Sequence, residues 1–339
     1  MNPRIVGLGL AQPDQRLTQQ ALYEHSPWGR TALLDKLFLD GPVHSRALVV
    51  PPSWWARKRT LTESNEAWRV GAEALGAAAL RDALRGRSAE SIDLIAVTTV
   101  TGSATPGVDV LLAKSVGLRG SVARIHFNNV GCHAAIPLLR VAADHVRARP
   151  EQLAATVAVE VCSACFVADD DPENLVALSL FGDGAAATLV AMNGTGPELI
   201  DFETRSDFAA SETLGFALTD AGFRIRLHSS VPTLVGAQLP VAVDRLLGRN
   251  GLSRADVNRW CIHPGGSRVL DVARDSLGLP EPAVTASRRV LRNYGNMSSP
   301  TVLFVLAESV EERAPKAGDV GVLAAFGPGL GIEVALIRW

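Results

Sequence analysis

The sequence predicts an α/β fold built from two similar halves, and three observations carry that reading. Short β-branched runs alternate with longer helical patterns along the chain, as strands and helices packed in layers do. Several strand runs are apolar throughout, such as "ATVAVEV" at 155–161, which suits a sheet covered on both faces. The chain also resembles itself at an offset of 164–165 residues.

Taken in order, the β-branched, apolar runs predict strands at 4–10, 92–100, 155–161, 185–192, 259–264, 320–326 and 331–339. The longer stretches with helical patterning predict helices at 65–86, 134–149, 234–250 and 300–313. "SAESIDLIAVTT" (88–99) matches "SRADVNRWCIHP" (253–264), each after a helix, with Ser88 on Ser253 and Ile92–Asp93 on Val257–Asn258. "VGCHAAIPLLRVAADHV" (130–146) matches "YGNMSSPTVLFVLAESV" (294–310), with Gly131–Cys132 on Gly295–Asn296. Two matches at nearly one offset point to a duplicated unit.

Composition narrows the function. The 339 residues are 47% apolar, ample for a large core, and suit two domains or one duplicated domain. With 33 basic and 35 acidic residues the net charge is −2, without the basic field that nucleic-acid binding uses. No apolar run reaches the length of a membrane span, and "MNPRIVGLGLAQPDQ" lacks a signal-peptide core. Four cysteines without a secretion signal fit a reduced, cytoplasmic protein. Cys162 and Cys165 form a CxxC with no second half to complete a metal site, and read as buried structural thiols.

The duplication places Cys132 and Asn296 at equivalent positions, each after a glycine and before an apolar helix that should lie buried at the centre. His263 ends a strand, opposite Thr98 in the other half. Packing about a pseudo-twofold axis brings Cys132 and Asn296 together, with His263 at a strand end facing them. A thiol at a helix N-terminus has its pKa lowered by the local field, and the amides there can hold an oxyanion. Cys132 therefore suits an acyl-accepting nucleophile, although an inert core cysteine is the commoner role, and position alone leaves both open. His133 adjoins it, but helix neighbours point to different faces, so His133 is not expected to be the base. His25, His44, His126, His145 and His228 carry no supporting pattern.

"GC" before a helix, "LFGDGAAATLV" (180–190), "HPGGSRVLD" (263–271), "YGNMSSPTVLFVL" (294–306) and "FGPGLGIE" (326–333) together resemble the type III polyketide synthases, the chalcone and stilbene synthase-like members of the thiolase superfamily. Ketoacyl synthases of type III share the Cys-His-Asn trio, but "HPGG", "GNMSS" and "FGPG" fit the polyketide synthases better. The resemblance implies a thiolase-like, duplicated αβαβα fold with two central mixed sheets and buried central helices. Its halves would be 1–195, carrying the cysteine, and 196–339, carrying the histidine and asparagine. It implies a homodimer, no metal or redox cofactor, and Cys132, His263 and Asn296 as the catalytic set. Cys132 would carry the acyl chain while His263 and Asn296 hold the enolate formed as a malonyl-type extender loses CO₂. Phe181 and Ile225 would stand at the two gatekeeper positions, and Gly327, Pro328 and Gly329 would shape the pocket where the chain cyclises. Isoleucine in place of phenylalanine at 225 should open the throat. Asp183 is expected to hold a turn. The basic cluster for coenzyme A should fall at 32–46, where Lys36 and Arg46 stand against Asp35 and Asp40. Arg57, Lys58 and Arg59 offer a substitute, although a solvated run is the plainer reading. The resulting expectation is a ketosynthase that joins acyl or β-ketoacyl chains, delivered on an acyl carrier protein or coenzyme A, and releases an α-pyrone. A non-condensing acyltransferase and an inactive scaffold subunit are the alternatives.

Overall fold

A computed structural model describes residues 1–339. Its strands are β1 (Arg4–Ala11), β2 (Arg16–Thr18), β3 (Ser45–Ala47), β4 (Leu94–Thr99), β5 (Ala123–Asn128), β6 (Ala154–Val161), β7 (Asp183–Ala191), β8 (Glu198–Ser206), β9 (Leu214–Thr219), β10 (Gly222–Leu227), β11 (Arg259–Ile262), β12 (Val320–Gly327) and β13 (Gly331–Arg338). Nine of them follow the order β11-β12-β13-β8-β1-β7-β6-β4-β5. On one side β4 runs parallel to β6, and β6, β7 and β1 alternate antiparallel. On the other, β11 runs parallel to β12, and β12, β13 and β8 alternate antiparallel. The second set repeats the first in order and sense. The two sheets expected from the sequence meet at the Arg4–Glu198 pair between β1 and β8. Hydrogen bonding is therefore continuous through nine strands.

Side-chain alternation explains why these strands are apolar on both faces. In β6, Ala154 and Ala158 enter the central core, while Ala155, Val157, Val159 and Val161 enter an outer core under the helix Leu61–Leu84. In β12, Leu323 and Ala325 face the centre, while Val322, Ala324 and Phe326 pack beneath the helix Val231–Arg249. The helices Ala135–Ala148 and Thr301–Glu312 share the central core. The layers are thus helix, sheet, paired central helices, sheet, helix. No helix is long and apolar enough to cross a membrane.

The four expected helices form, with shifted ends. Leu61–Leu84 begins earlier than its apolar pattern because Thr60 and Glu63 close a capping box: Glu63 N–H donates to the Thr60 hydroxyl (3.2 Å) and Thr60 N–H to the Glu63 carboxylate (3.0 Å). The sequence reading missed β5, β8 and the β9–β10 hairpin. β5, "ARIHFN", is an edge strand whose residues are exposed or half-buried, so it carries no continuous apolar run. The arginine-rich helices Ser267–Leu277 and Thr285–Tyr294 were missed for the same reason.

Candidate active site

Cys132 lies in the turn ahead of the helix Ala135–Ala148, outside its first turn. Gly131 reaches this turn at φ +95°, and a Cβ there would stand 2.5 Å from Cδ of Pro328, so glycine is required. The thiol is buried, and burial, aided by the charge of Glu160, pushes it up to about 12. This corrects the expectation of a lowered value: the helix begins three positions on, and desolvation outweighs its field.

One hydrogen bond supports the sulfur, from the Ser298 hydroxyl at 3.3 Å. Ser298 sits at φ +59°, a left-handed conformation that costs about 1–3 kcal/mol and persists only where the surroundings enforce it. They do so here. Ser298 N–H donates to Oδ1 of Asn296 (2.8 Å), Met297 N–H to the Thr301 hydroxyl (2.9 Å), and the Ser299 hydroxyl to Glu160 (2.6 Å). Glu160 is fully buried and also accepts from Val100 N–H (2.9 Å) and the Thr101 hydroxyl (2.8 Å). Burial lifts its carboxyl to about 7 despite these donors. Neither Ser298 nor Glu160 stands out in the sequence, although Ser298 lies inside the "GNMSS" stretch.

Asn296 is buried, and its backbone is paired to the 180–182 segment: N–H to Leu180 O at 2.9 Å, and its carbonyl accepts from Gly182 N–H at 3.0 Å. Its side-chain amide donates only to Gly265 O, at a long 3.4 Å. His263 follows directly on β11, and its N–H donates to Ala324 O (2.8 Å). The imidazole packs edge-on against Phe326, with ring centroids 5.4 Å apart. Its Nδ1 has no partner, and burial, then the neighbouring His133, push it down to about 3. Cys132, His263 and Asn296 are thus all buried, and Ser298 links the sulfur of Cys132 to the side chain of Asn296.

Phe181 bridges to Asn296 and shares an apolar cluster with Cys132 and Ile225. Ile225 is itself buried in this cluster. Phe166 lies 5.1 Å from Phe181 and 5.5 Å from Phe216, which lies 6.2 Å from Phe223, so aromatic rings from the β9–β10 hairpin line the region. Gly327 and Gly331 pair across the neck of the β12–β13 hairpin, with Pro328 and Gly329 at its tip. Asp183 opens β7 and, in place of the expected local turn, ties distant segments together, accepting from Val49 N–H (2.6 Å) and Ser163 N–H (2.8 Å). Cys162 and Cys165 are buried and free, and burial raises both well above the usual thiol range.

Arg46 is not at a tunnel mouth. It is 1% exposed, donates to Gln19 (2.9 Å) and to the carbonyl of Phe181, and so braces the gatekeeper segment. Burial lowers it to about 9. A cleft of about 650 Å³ opens beside Leu180 and Gly265 and is lined by Lys36, Asp40 and Arg268. Arg268 is the cation the sequence reading missed. Arg57 and Arg59 line a different cleft, paired with Glu63.

Residues 52–197 match the N-terminal domain of the chalcone and stilbene synthases, and residues 208–339 match their C-terminal domain. The chain is 33% identical over 349 residues to a 1,3,6,8-tetrahydroxynaphthalene synthase of Streptomyces peucetius subsp. caesius, covering 99% of this chain and 93% of that protein. It is 35% identical over 255 residues to the alpha-pyrone synthesis polyketide synthase-like Pks18 of Mycobacterium tuberculosis, covering 73% of this chain and 65% of that one. Among solved structures, the C-terminal type III polyketide synthase domain of Steely1 from Dictyostelium superposes with TM-score 0.92 at 27% identity, covering 100% and 99% of the two chains. PKS-I of the brown alga Ectocarpus siliculosus gives 0.91 at 26%, covering 99% and 98%. Both halves carry the family's domains and the fold is shared from end to end: the chain belongs to the chalcone and stilbene synthases, the type III polyketide synthases.

Proposed function

We propose that this enzyme elongates an acyl chain on Cys132 by decarboxylative condensation, with the nucleophile in a first unit, 1–195, and the two donors in a second, 196–339. Cys132 attacks an acyl thioester, its proton passes to His263, and the carrier thiol leaves with that proton. An extender thioester then places its carbonyl oxygen between His263 and Asn296. Loss of CO₂ leaves an enolate on that oxygen, two neutral donors stabilise it, and its carbon attacks the Cys132 thioester. The observation that carries the reading is the Asn296 amide, buried beside the histidine segment and engaged only at 3.4 Å, so a substrate oxygen can take it over. Release as an α-pyrone is proposed from the similarity to Pks18. The test is intact-protein mass spectrometry with acyl and malonyl thioesters, followed by product identification. No acyl mass on the wild-type protein would overturn it.

Delivery by an acyl carrier protein is favoured over free coenzyme A. The cleft beside the site offers Lys36 and Arg268 against Asp40, a weak field for a nucleotide bearing several phosphates. Loading of one acyl group from both carriers is expected to be faster from the carrier protein and to weaken with salt. Faster, salt-independent loading from coenzyme A would reverse this assignment.

The chain is also proposed to work as a homodimer. β5 ends the sheet with one side unpaired, an edge that a second copy can cover. Sedimentation is expected to show a dimer at micromolar concentration, and a monomer there would refute the assignment.

A further inference from the structure

His133 is not placed as the base, yet it occupies a particular position. Its side chain is 8% exposed, neither ring nitrogen makes a hydrogen bond, and Nδ1 is buried without a partner. A polar ring left unpaired in a core is costly, so what it packs against needs explaining. A Cβ on Gly327 would stand 2.2 Å from Nδ1, and one on Gly331 would stand 2.8 Å from Nε2. Gly327 and Gly331 are the cross-strand pair at the neck of the β12–β13 hairpin. The nitrogen edge of the imidazole therefore lies across both strands, in space that only glycines leave free. On the other side of Cys132, Gly131 packs against Pro328 at the hairpin tip. The residues flanking the nucleophile thus both seat the same hairpin. Pro328 in turn lines a cleft of about 550 Å³ together with Val100, Phe216 and Phe223.

We propose that His133 is a specificity-determining positioning residue: its ring is the spacer that holds the Gly327–Gly331 hairpin at its height over Cys132, and so sets how long a chain the site accommodates. This deepens the condensing function proposed above and rests on it.

Two measurements test the proposal. With a fixed acyl starter and malonyl thioester, His133→Ala is expected to shift the main product to at least one further extender unit. His133→Phe is expected to shift it to a shorter chain. Acyl loading on Cys132 should stay within about threefold of wild type in both, since the nucleophile and its partners are untouched. Wild-type product ratios in both variants would overturn the spacer role. The second measurement needs no turnover. Gly331→Ala is expected to lower Tm by about 3 °C in the wild type, through overpacking against His133, and to cost almost nothing in the His133→Ala background. Equal losses in the two backgrounds would overturn the packing on which the proposal stands. Should the phenylalanine variant fail to fold, His133→Asn replaces it, with the longer product expected. A wild-type enzyme that loads but never extends would sink the condensing function alone, and the coupling between 133 and 331 would still decide the spacer.

Discussion

Replacing Cys132 with alanine is expected to abolish covalent acyl loading and to cut turnover by on the order of 10⁴-fold or more, as loss of a nucleophile does elsewhere. The fold should persist, because the change removes one sulfur and one hydrogen bond, from Ser298. Acyl mass on the alanine variant would place the nucleophile elsewhere. The wild-type thiol carries a pH signature of its own. Burial pushes it up to about 12 and His263 down to about 3, which disfavours a thiolate–imidazolium pair in the free enzyme. The thiolate fraction therefore grows with pH throughout the working range. Alkylation of Cys132 by iodoacetamide is expected to rise about tenfold per pH unit up to pH ~9 without levelling. A plateau near neutrality would mean that the pair is ionised at rest. In the loading step proposed above, His263 starts neutral. A neutral imidazole can take the thiol proton as attack proceeds, which makes proton transfer part of the acylation step rather than its prelude.

Asn296→Ala is expected to depress decarboxylation and condensation by about 10²–10³-fold, the usual effect of removing one donor to a developing oxyanion. Loading of Cys132 should fall far less. The smaller loss arises because Oδ1 of Asn296 also holds Ser298 N–H (2.8 Å) and so keeps the strained serine on the sulfur. Asn296→Asp separates the two roles. An aspartate can still accept from Ser298 N–H but cannot donate to an enolate while ionised, so it should load and fail to extend. Equal losses of loading and extension in both variants would make Asn296 a structural residue and leave the enolate to His263 alone. His263→Ala, by contrast, should impair both steps, since in the proposed mechanism one imidazole serves as proton acceptor in the first and donor in the second.

Much of this molecule was legible along the chain. β6 and β12 each feed two cores because an uninterrupted apolar strand has no solvent face, and that is written in local periodicity. The internal repeat placed Cys132 and Asn296 at matching points, and the fold puts both beside the paired central helices. Elements without an apolar run, such as the exposed edge β5 and the arginine-rich helix Thr285–Tyr294, left no such signal. By itself the sequence determined what order and spacing dictate: the alternation of strands and helices, and the duplication that sets Cys132 and Asn296 at matching points. Only the tertiary structure decided the state of those side chains. Position relative to a helix argues for a low thiol pKa, yet Cys132 is held protonated, because desolvation is set by everything that packs around a group. Its one hydrogen-bond donor, Ser298, comes from 166 residues away, fixed in turn by Glu160. Arg46, placed by the resemblance among the cations for coenzyme A, is instead buried against the Phe181 carbonyl. Charge, burial and reach at a site depend on neighbours brought from distant parts of the chain, and no local pattern records them.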